Sequence, residues 1–438
     1  MEKKGVKATS SNFGGMGWLL IIYIAATFFI CGLGGSVQNI TAGIFEGTYG
    51  WNQAFVISLN SIGGWIGVLF IFLFGILMTK GKMNLRVTIL YSAVIVGVCY
   101  IFMGRTSSLA LYSVMFCVYV VFYQIWAQLA NSALCNNWFP RKKGVAIGWA
   151  TMGFPLAPSI GLVIFSKILF AKGFPDTHTA YLVIGVAGIV VGVLAFLIFR
   201  NYPEEQGRFP DNDPNMTREQ ADAELAEGQA LIANSPWTIK RLLTTKEVWL
   251  AFVAAGLIGF FGGGSISQVV PRLMGAGFTS DQATGMIAAC ALIALPGSYL
   301  IGFLDGKFGT KKAYIIAMIM CIVGGLLYAI PNPATIWPGL VIIGVALGGS
   351  SNFPMSFTTT YFGRYHFQKA FGVTLTINQL VMNAGAIVIA YLAAAKGWTV
   401  SYVVVSVLCL LGIILILPVK DNFTAKYEAQ FAKEDGNA

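Results

Sequence analysis

The sequence predicts an all-α, polytopic membrane protein with twelve transmembrane helices arranged as two halves of six. The first observation is a series of apolar stretches, because each bilayer crossing needs about 20 apolar helical residues whose backbone groups bond one another. Twelve stretches occur, at approximately 17–40, 53–78, 87–104, 109–135, 144–169, 180–199, 248–270, 282–304, 313–330, 337–360, 371–394 and 399–418. The second observation is the composition, and the third is a repeat that relates the two halves.

The composition excludes a soluble protein. Hydrophobic residues make up 56% of the chain and charged residues 11%, whereas an ordinary soluble domain has about 25% charged residues. The 7 cysteines lie in or beside apolar stretches without any C-x-x-C pair, and the 2 histidines fall in predicted loops. Neither pattern suits a metal or redox site, so we expect no cofactor.

Lysine and arginine indicate how the chain is oriented. All but five of the 28 lie in the termini or in loops on the same side of the membrane as the termini. The positive-inside rule therefore predicts that both termini lie in the cytoplasm, at the plasma (inner) membrane. The net charge of +10 is a topology signal. Because the basic residues are not clustered on one soluble face, nucleic acid is excluded as a partner.

The longest polar interval marks the predicted domain boundary. We expect an N-terminal six-helix half at 1–199, a cytoplasmic linker at 200–247, and a C-terminal six-helix half with a cytoplasmic tail at 248–438. Within the linker, Thr217 followed by Gln220 predicts a capping box that opens a short helix to about Leu231. A second short helix is expected from Ser235 to Leu243. The linker as a whole is expected to be a solvated tether.

The loop after predicted helix two is repeated after predicted helix eight. In the first loop the pattern is Gly75-x-Leu77-x-x-Lys80, and in the second it is Gly302-x-Leu304-x-x-Lys307. Two related six-helix halves form a known arrangement in which a substrate sits near the middle of the membrane, between the halves.

In these loops the chain resembles the major facilitator superfamily, whose signature is G-x-L-x-D-[RK]-x-G-[RK]-[RK]. The family uses this loop to lock neighbouring helices on the cytoplasmic side. The resemblance implies this conformational role for Gly75, Lys80, Gly302, Asp305, Lys307 and Gly309. Asp305 stands one place early, and the first loop lacks the acid, which leaves the lock of the N-terminal half without its usual carboxylate.

The run from Trp138 to Gly148 further resembles the oxalate/formate antiporter and monocarboxylate carrier branch, which implies an organic acid as substrate. Branch members that handle a small dicarboxylate place basic side chains inside helices of the C-terminal half. This chain has no lysine or arginine between Asp281 and Gly302 or between Gly372 and Ala395. The departure argues against oxalate itself.

The placement of acids limits the coupling mechanism. A charged group at mid-bilayer costs at least about 2.5–3.5 kcal/mol and is usually kept only for function. Every Asp and Glu falls in a predicted loop, tail or helix end. A carboxylate proton relay is therefore not expected. Exchange, facilitated diffusion, or movement of a proton on the substrate's own carboxyl group is expected instead.

Neutral polar and aromatic side chains supply the candidate substrate contacts. In helix four, Gln124, Gln128 and Asn131 are spaced i, i+4, i+7 and share one face, beside Tyr119 and Tyr123. The other candidates are Thr376, Gln379 and Asn383 in helix eleven, and Gln38, Asn39, Asn60, Ser265, Gln268 and Asn352 elsewhere. A polar stripe must face protein or water, so a cavity lining and helix–helix hydrogen bonding are equally compatible with the pattern.

Arg272 is the candidate counter-charge for an organic anion. It follows Pro271 at the outer end of predicted helix seven and adjoins the polar turn from Ser265 to Gln268. The alternative is an interfacial arginine whose head reaches the outer lipid headgroups. If the alternative holds, the substrate is weakly charged or is bound through amides and hydroxyls.

These observations predict a transporter that carries an organic acid by alternating access and works as a monomer in the lipid bilayer. An exporter of amphipathic, drug-like or bile-acid-like compounds is the alternative. A transporter-like sensor without flux is the alternative from another class. An enzyme is not expected, because no buried nucleophile, base and acid can be assembled from this sequence.

Overall fold

The computed structural model is a bundle of long helices, and it describes residues 7–436 apart from the side chains of Asn39, Ser267, Ser280, Asp281 and Thr284. The first six spanning helices are Gly14–Tyr49, Gln53–Thr79, Leu85–Arg105, Leu109–Trp138, Lys143–Leu169 and Thr177–Ile198. Helices seven to nine are Lys246–Ser267, Ser280–Phe308 and Thr310–Ala329, and helix twelve is Trp398–Ile416. The predicted spans are recovered, most with small shifts at their ends, while helix one runs on to Tyr49 instead of ending near residue 40.

Helices ten and eleven lie in a single helical stretch, which is nevertheless long enough to cross the membrane twice. Pro333–Lys396 is 64 residues long, about 96 Å at 1.5 Å per residue, whereas a bilayer core is about 30 Å thick. The backbone breaks at Gly363, where φ is 65°, a left-handed conformation that only glycine adopts without cost. The described residues therefore contain eleven apolar helical segments and twelve membrane crossings.

Two hydrophobic cores organise the bundle. One is built from residues of helices one to six, and the other from residues between Trp237 and Phe431. The first core also takes in four residues of helices ten and eleven, namely Met355, Phe367, Phe371 and Leu375. The two groups of helices are thus packed together where helix ten leads into helix eleven.

The segment between helices six and seven is docked on the bundle. The predicted capping box at Thr217 and Gln220 is confirmed, and it opens the helix Arg218–Ala233. The second short helix starts at Ile239 rather than at Ser235, because the Thr238 hydroxyl accepts the backbone N–H of Arg241 and caps the helix there. The linker is not the solvated tether expected from its polarity, since Trp237 in it is 1% exposed.

Trp237 is covered by the C-terminal helix, Phe423–Glu434. Its ring lies edge-on to those of Phe362 and Phe431, and its indole N–H donates to Glu428 at 2.7 Å. Below, the end of the bundle that carries this linker and both chain termini is called the linker end, and the other the far end. The positive-inside rule predicts that the linker end faces the cytoplasm.

Candidate functional site

The two halves contact each other at the linker end. Helix five approaches helix eight so closely that a methyl group added at Gly302 would lie 2.2 Å from the Gly144 carbonyl oxygen. One turn further along, the Ser298 hydroxyl donates to the Gly148 carbonyl at 2.8 Å. Small residues permit this approach of two backbones, as they do between membrane helices in general.

Polar side chains form a layer of hydrogen bonds between the halves near the middle of the helices. The Gln379 amide of helix eleven donates to the Gln128 amide oxygen of helix four. The Asn383 amide donates to the Gly64 carbonyl of helix two at 3.2 Å. We call this set, together with the cluster described next, the central polar layer.

A second part of the central polar layer joins helices five, eight and ten. The Thr151 hydroxyl lies 2.7 Å from the Asn352 amide oxygen and 2.7 Å from the Ser298 hydroxyl. Asn352 stands in the short 3-10 turn Ser350–Asn352, where helix ten is interrupted. All three side chains are buried.

Beyond the central polar layer, towards the far end, side chains on the facing helices become exposed. Asn60 lies one turn from Gly64 on the same face of helix two and is exposed. On helix eleven, Ile387 and Tyr391 continue the face of Asn383 and are 55% and 74% exposed. Every hydrogen bond between the halves that the described residues make lies in the central polar layer or nearer the linker end. The hydrogen-bonded contact between the halves, as far as the described residues show it, thus ends at the central polar layer.

Three buried amides near this level keep an unused hydrogen-bonding atom. They are the side-chain oxygen of Gln124 and the side-chain nitrogens of Asn131 and Asn352, and all three residues are at most 3% exposed. A buried polar atom without a partner is costly, and it marks a place where a bound molecule can supply the missing bond. No acid, lysine or arginine of the described spanning helices stands at this depth, because each lies near a helix end.

Several predicted substrate residues instead hold helices of one half together. Gln38 donates to the Val56 carbonyl, Tyr119 to the Cys31 carbonyl, and Asn131 accepts from the Tyr23 hydroxyl. Thr376 donates to the Gly372 carbonyl in its own helix, and Ser265 is 1% exposed. Tyr123 is half-buried beside Tyr119, Gln268 stands at the break after helix seven, and the side chain of Asn39 lies outside the described residues.

Arg272 is buried against helix nine and does not lie at the outer surface. It is 1% exposed, and its guanidinium donates to the Tyr328 carbonyl at 2.8 Å and to the Ala329 carbonyl at 3.3 Å. These are the last carbonyls of helix nine, which attract a cation because they carry the negative end of the helix dipole. Both interpretations of Arg272 from the sequence placed its charged group elsewhere, because no local pattern shows which helix end it reaches.

The two signature loops lie at the linker end. In the first, Thr79 occupies the place of the missing acid and donates its hydroxyl to the Lys369 carbonyl at 2.8 Å, while Lys80 is exposed. In the second, Asp305 is buried and accepts from the Thr310 hydroxyl at 2.7 Å. Its other carboxylate oxygen would lie 3.0 Å from a methyl group added at Gly144, at the start of helix five.

The rest of the second loop is at the surface. Lys307 is exposed above the rings of Phe303 and Phe308, and Gly309 takes a positive φ of 85° between helices eight and nine. The geometry places Asp305 at the positive N-terminal end of helix five, where a carboxylate is stabilised.

The linker closes over the same end. Arg364 binds both carboxylate oxygens of Glu204 at 2.7 and 2.9 Å and also donates to the Asn137 carbonyl, with the Arg364 and Glu204 side chains 5% and 1% exposed. Asp211 accepts the backbone N–H groups of Arg141 and Lys142 just before helix five. Burial raises the pKa of Asp211, while these two N–H groups act in the opposite direction.

Sequence reasoning missed Thr151 and Ser298 of the central polar layer, together with the rings of Trp149 and Tyr299, which lie 4.9 Å apart across the halves. One signal could have found them. Gly144 and Gly148 stand one turn apart on helix five, and such a face of small residues marks where another helix packs closely.

The apolar spanning helices are those of a multi-pass membrane protein. The chain matches the family model of the Major Facilitator Superfamily over residues 24–386. It belongs to that superfamily and is a transporter, not an enzyme.

Two curated relatives are distant. The chain is 22% identical to the oxalate:formate antiporter of Oxalobacter formigenes over 333 residues, which cover 74% of this chain and 73% of that protein. It is 23% identical to the hexuronate transporter of Escherichia coli (strain K12) over 314 residues, covering 68% and 70%.

Solved structures share the fold. The proton:xylose symporter XylE superposes with a TM-score of 0.75 at 13% identity, covering 92% of this chain and 96% of that one. The human organic anion transporter MFSD10 superposes with a TM-score of 0.64 at 16% identity, covering 91% and 97%.

Proposed function

We propose that the chain carries an organic acid by alternating access, with both termini in the cytoplasm, and that it binds the acid at the central polar layer. The observation that carries the proposal is the chemistry of this layer. Its side chains are carboxamides and hydroxyls, and no charged side chain of the described helices stands at its depth. Amide N–H groups can bind a carboxyl group, but no cationic side chain of the described helices stands at this depth to neutralise a fully ionised dianion.

The transported species is then a monoanion or an acid that keeps its proton. The absence of mid-membrane acids in the sequence removes the usual protein-borne carrier of a coupled proton. Exchange of one acid for another, or movement of the proton on the substrate itself, fits the site. The names of the oxalate:formate and hexuronate relatives support an acidic substrate class.

Counterflow in liposomes containing the purified protein tests the proposal. The vesicles are preloaded in turn with monocarboxylates, dicarboxylates, sugar acids and aromatic acids. We expect saturable exchange of one acid, lost in Gln379→Leu and kept in Arg105→Gln, an exposed arginine at the end of helix three. Uptake of neutral amphipathic dyes without exchange of any acid would overturn the proposal in favour of an exporter.

A further inference from the structure

We infer that Tyr23 of helix one is a positioning residue for the substrate site, because its hydroxyl clamps a π-helical turn in helix four that carries Gln124 and Gln128. The inference rests on the proposed function, since it assigns a role towards the same site. Its basis is a set of three buried side chains on helices one and four.

The middle of helix four is not an α-helix. Residues Gln124–Ala130 form a π-helical segment, and the Asn131 backbone N–H donates to the carbonyl of Trp126, five residues earlier. Such turns are rare and are found mostly at functional sites. This one carries Gln124, with its unused amide oxygen, and Gln128, which meets Gln379 of the opposite half.

One hydroxyl group bridges the π turn. The Trp126 indole N–H donates to the Tyr23 hydroxyl at 2.9 Å, and the Tyr23 hydroxyl donates to the Asn131 amide oxygen at 2.9 Å. Trp126 and Asn131 are fully buried, and Tyr23 is 7% exposed. The phenol oxygen is therefore used as both acceptor and donor.

The bridge requires π geometry. Residues five apart point about 140° apart around an α-helix, whereas the i→i+5 bond of a π turn brings them to the same side of the helix. The bridge thus joins the two residues that the π-type backbone bond also joins. Without the hydroxyl, the Trp126 indole N–H and the Asn131 amide oxygen lose a buried hydrogen-bond partner, and only the backbone hydrogen bond still joins the two residues.

Tyr23→Phe tests this role, because it keeps the ring against Phe199 and removes only the oxygen. Tyr100→Phe is the matched control. Tyr100 is fully buried, its hydroxyl donates to the Ile30 carbonyl of helix one at 2.8 Å, and its ring packs against Tyr119 of helix four, which lies before the π turn that begins at Gln124.

In counterflow we expect Tyr23→Phe to raise the apparent KM about 5- to 10-fold, the loss of about one buried hydrogen bond, with a maximal rate close to wild type. Tyr100→Phe should leave KM within about 2-fold. In a Gln128→Ala background, Tyr23→Phe should raise KM by less than it does in the wild type, because part of the effect of the clamp acts through Gln128. Equal KM effects of the two tyrosine variants, or additive effects with Gln128→Ala, would overturn the inference.

Hydrogen exchange followed by mass spectrometry separates this inference from the proposed substrate. Faster exchange over 124–131 in Tyr23→Phe, but not in Tyr100→Phe, is expected whether or not the right acid is in the panel. If no acid moves in the wild type, the proposed function fails while this comparison still decides the clamp. Unchanged exchange in both variants would exclude the clamp.

Discussion

Gly75 of helix two and Gly372 of helix eleven touch backbone to backbone across the two halves. A methyl group added at Gly372 would lie 2.0 Å from the Cα atom of Gly75, and one added at Gly75 would lie 2.6 Å from the Cα atom of Gly372. Real Cβ atoms do not come so close. The contact therefore exists only while both residues are glycine and the linker end is closed.

Gly372→Ala should shift the protein towards conformations open at the linker end. The added methyl group cannot be accommodated by a side-chain movement, because its neighbour is backbone. Distances between spin labels on the linker-end loops of the two halves should lengthen. Gly285→Ala is the control, since its methyl group meets nothing within 4 Å. A distance distribution identical to wild type would contradict the prediction.

Arg364→Ala should destabilise the protein by about 3–5 kcal/mol, because it leaves the buried Glu204 carboxylate without its partner. Thermal unfolding of the purified protein measures this. The comparison is Arg218→Ala, which breaks an ion pair with Asp222 whose side chains are 51% and 50% exposed. That loss is expected to be about 0.3–0.5 kcal/mol. Similar melting temperatures for the two variants would show that burial of the first pair is not decisive.

Arg272→Gln should lower stability without changing substrate affinity. The guanidinium caps the last carbonyls of helix nine, so its loss is expected to cost about 1–3 kcal/mol. The apparent KM in counterflow should stay within about 2-fold of wild type, as in Arg105→Gln. A selective rise in KM with unchanged melting temperature would return Arg272 to the role of substrate counter-charge.

Trp237→Ala should release the C-terminal helix from the linker. The side chain is 1% exposed against Phe362 and Phe431, and removing a buried tryptophan costs about 3–5 kcal/mol. Trypsin should then cleave at Lys426 and Lys433 faster than in the wild type. Trp65→Ala removes a 39% exposed tryptophan from helix two and should leave the cleavage rate unchanged.

The sequence was sufficient for the helices because a bilayer imposes a simple rule on them, and each predicted span reappears, most of them with small shifts at their ends. It was less informative inside helix four. The α-helical spacing put Asn131 on the face of Gln124, but a π turn takes one residue more than an α turn. Residues beyond it are rotated by roughly 100°. Asn131 accordingly bonds to Tyr23 of helix one.

Contacts between residues far apart in the sequence could not be predicted either. Nothing in the sequence around Trp237 shows that Glu428, 191 residues further along the chain, accepts its indole N–H. In the same way, the sequence near Arg272 does not show that the helix ending at Ala329 lies within its reach. Polarity identified both residues as notable, and only the packing of distant helices assigns their contacts.

The docked linker limits how far the two halves can separate at the linker end. Its first part is bonded to the start of helix five through Asp211, and its helix Arg218–Ala233 is bonded to the opposite half where the Tyr365 hydroxyl donates to the Glu224 carbonyl. Separation of the halves at this end must also break the Arg364–Glu204 ion pair, which joins the first part of the linker to helix eleven. A linker that is bonded to both halves in this way restricts how wide an opening between them can become at the linker end.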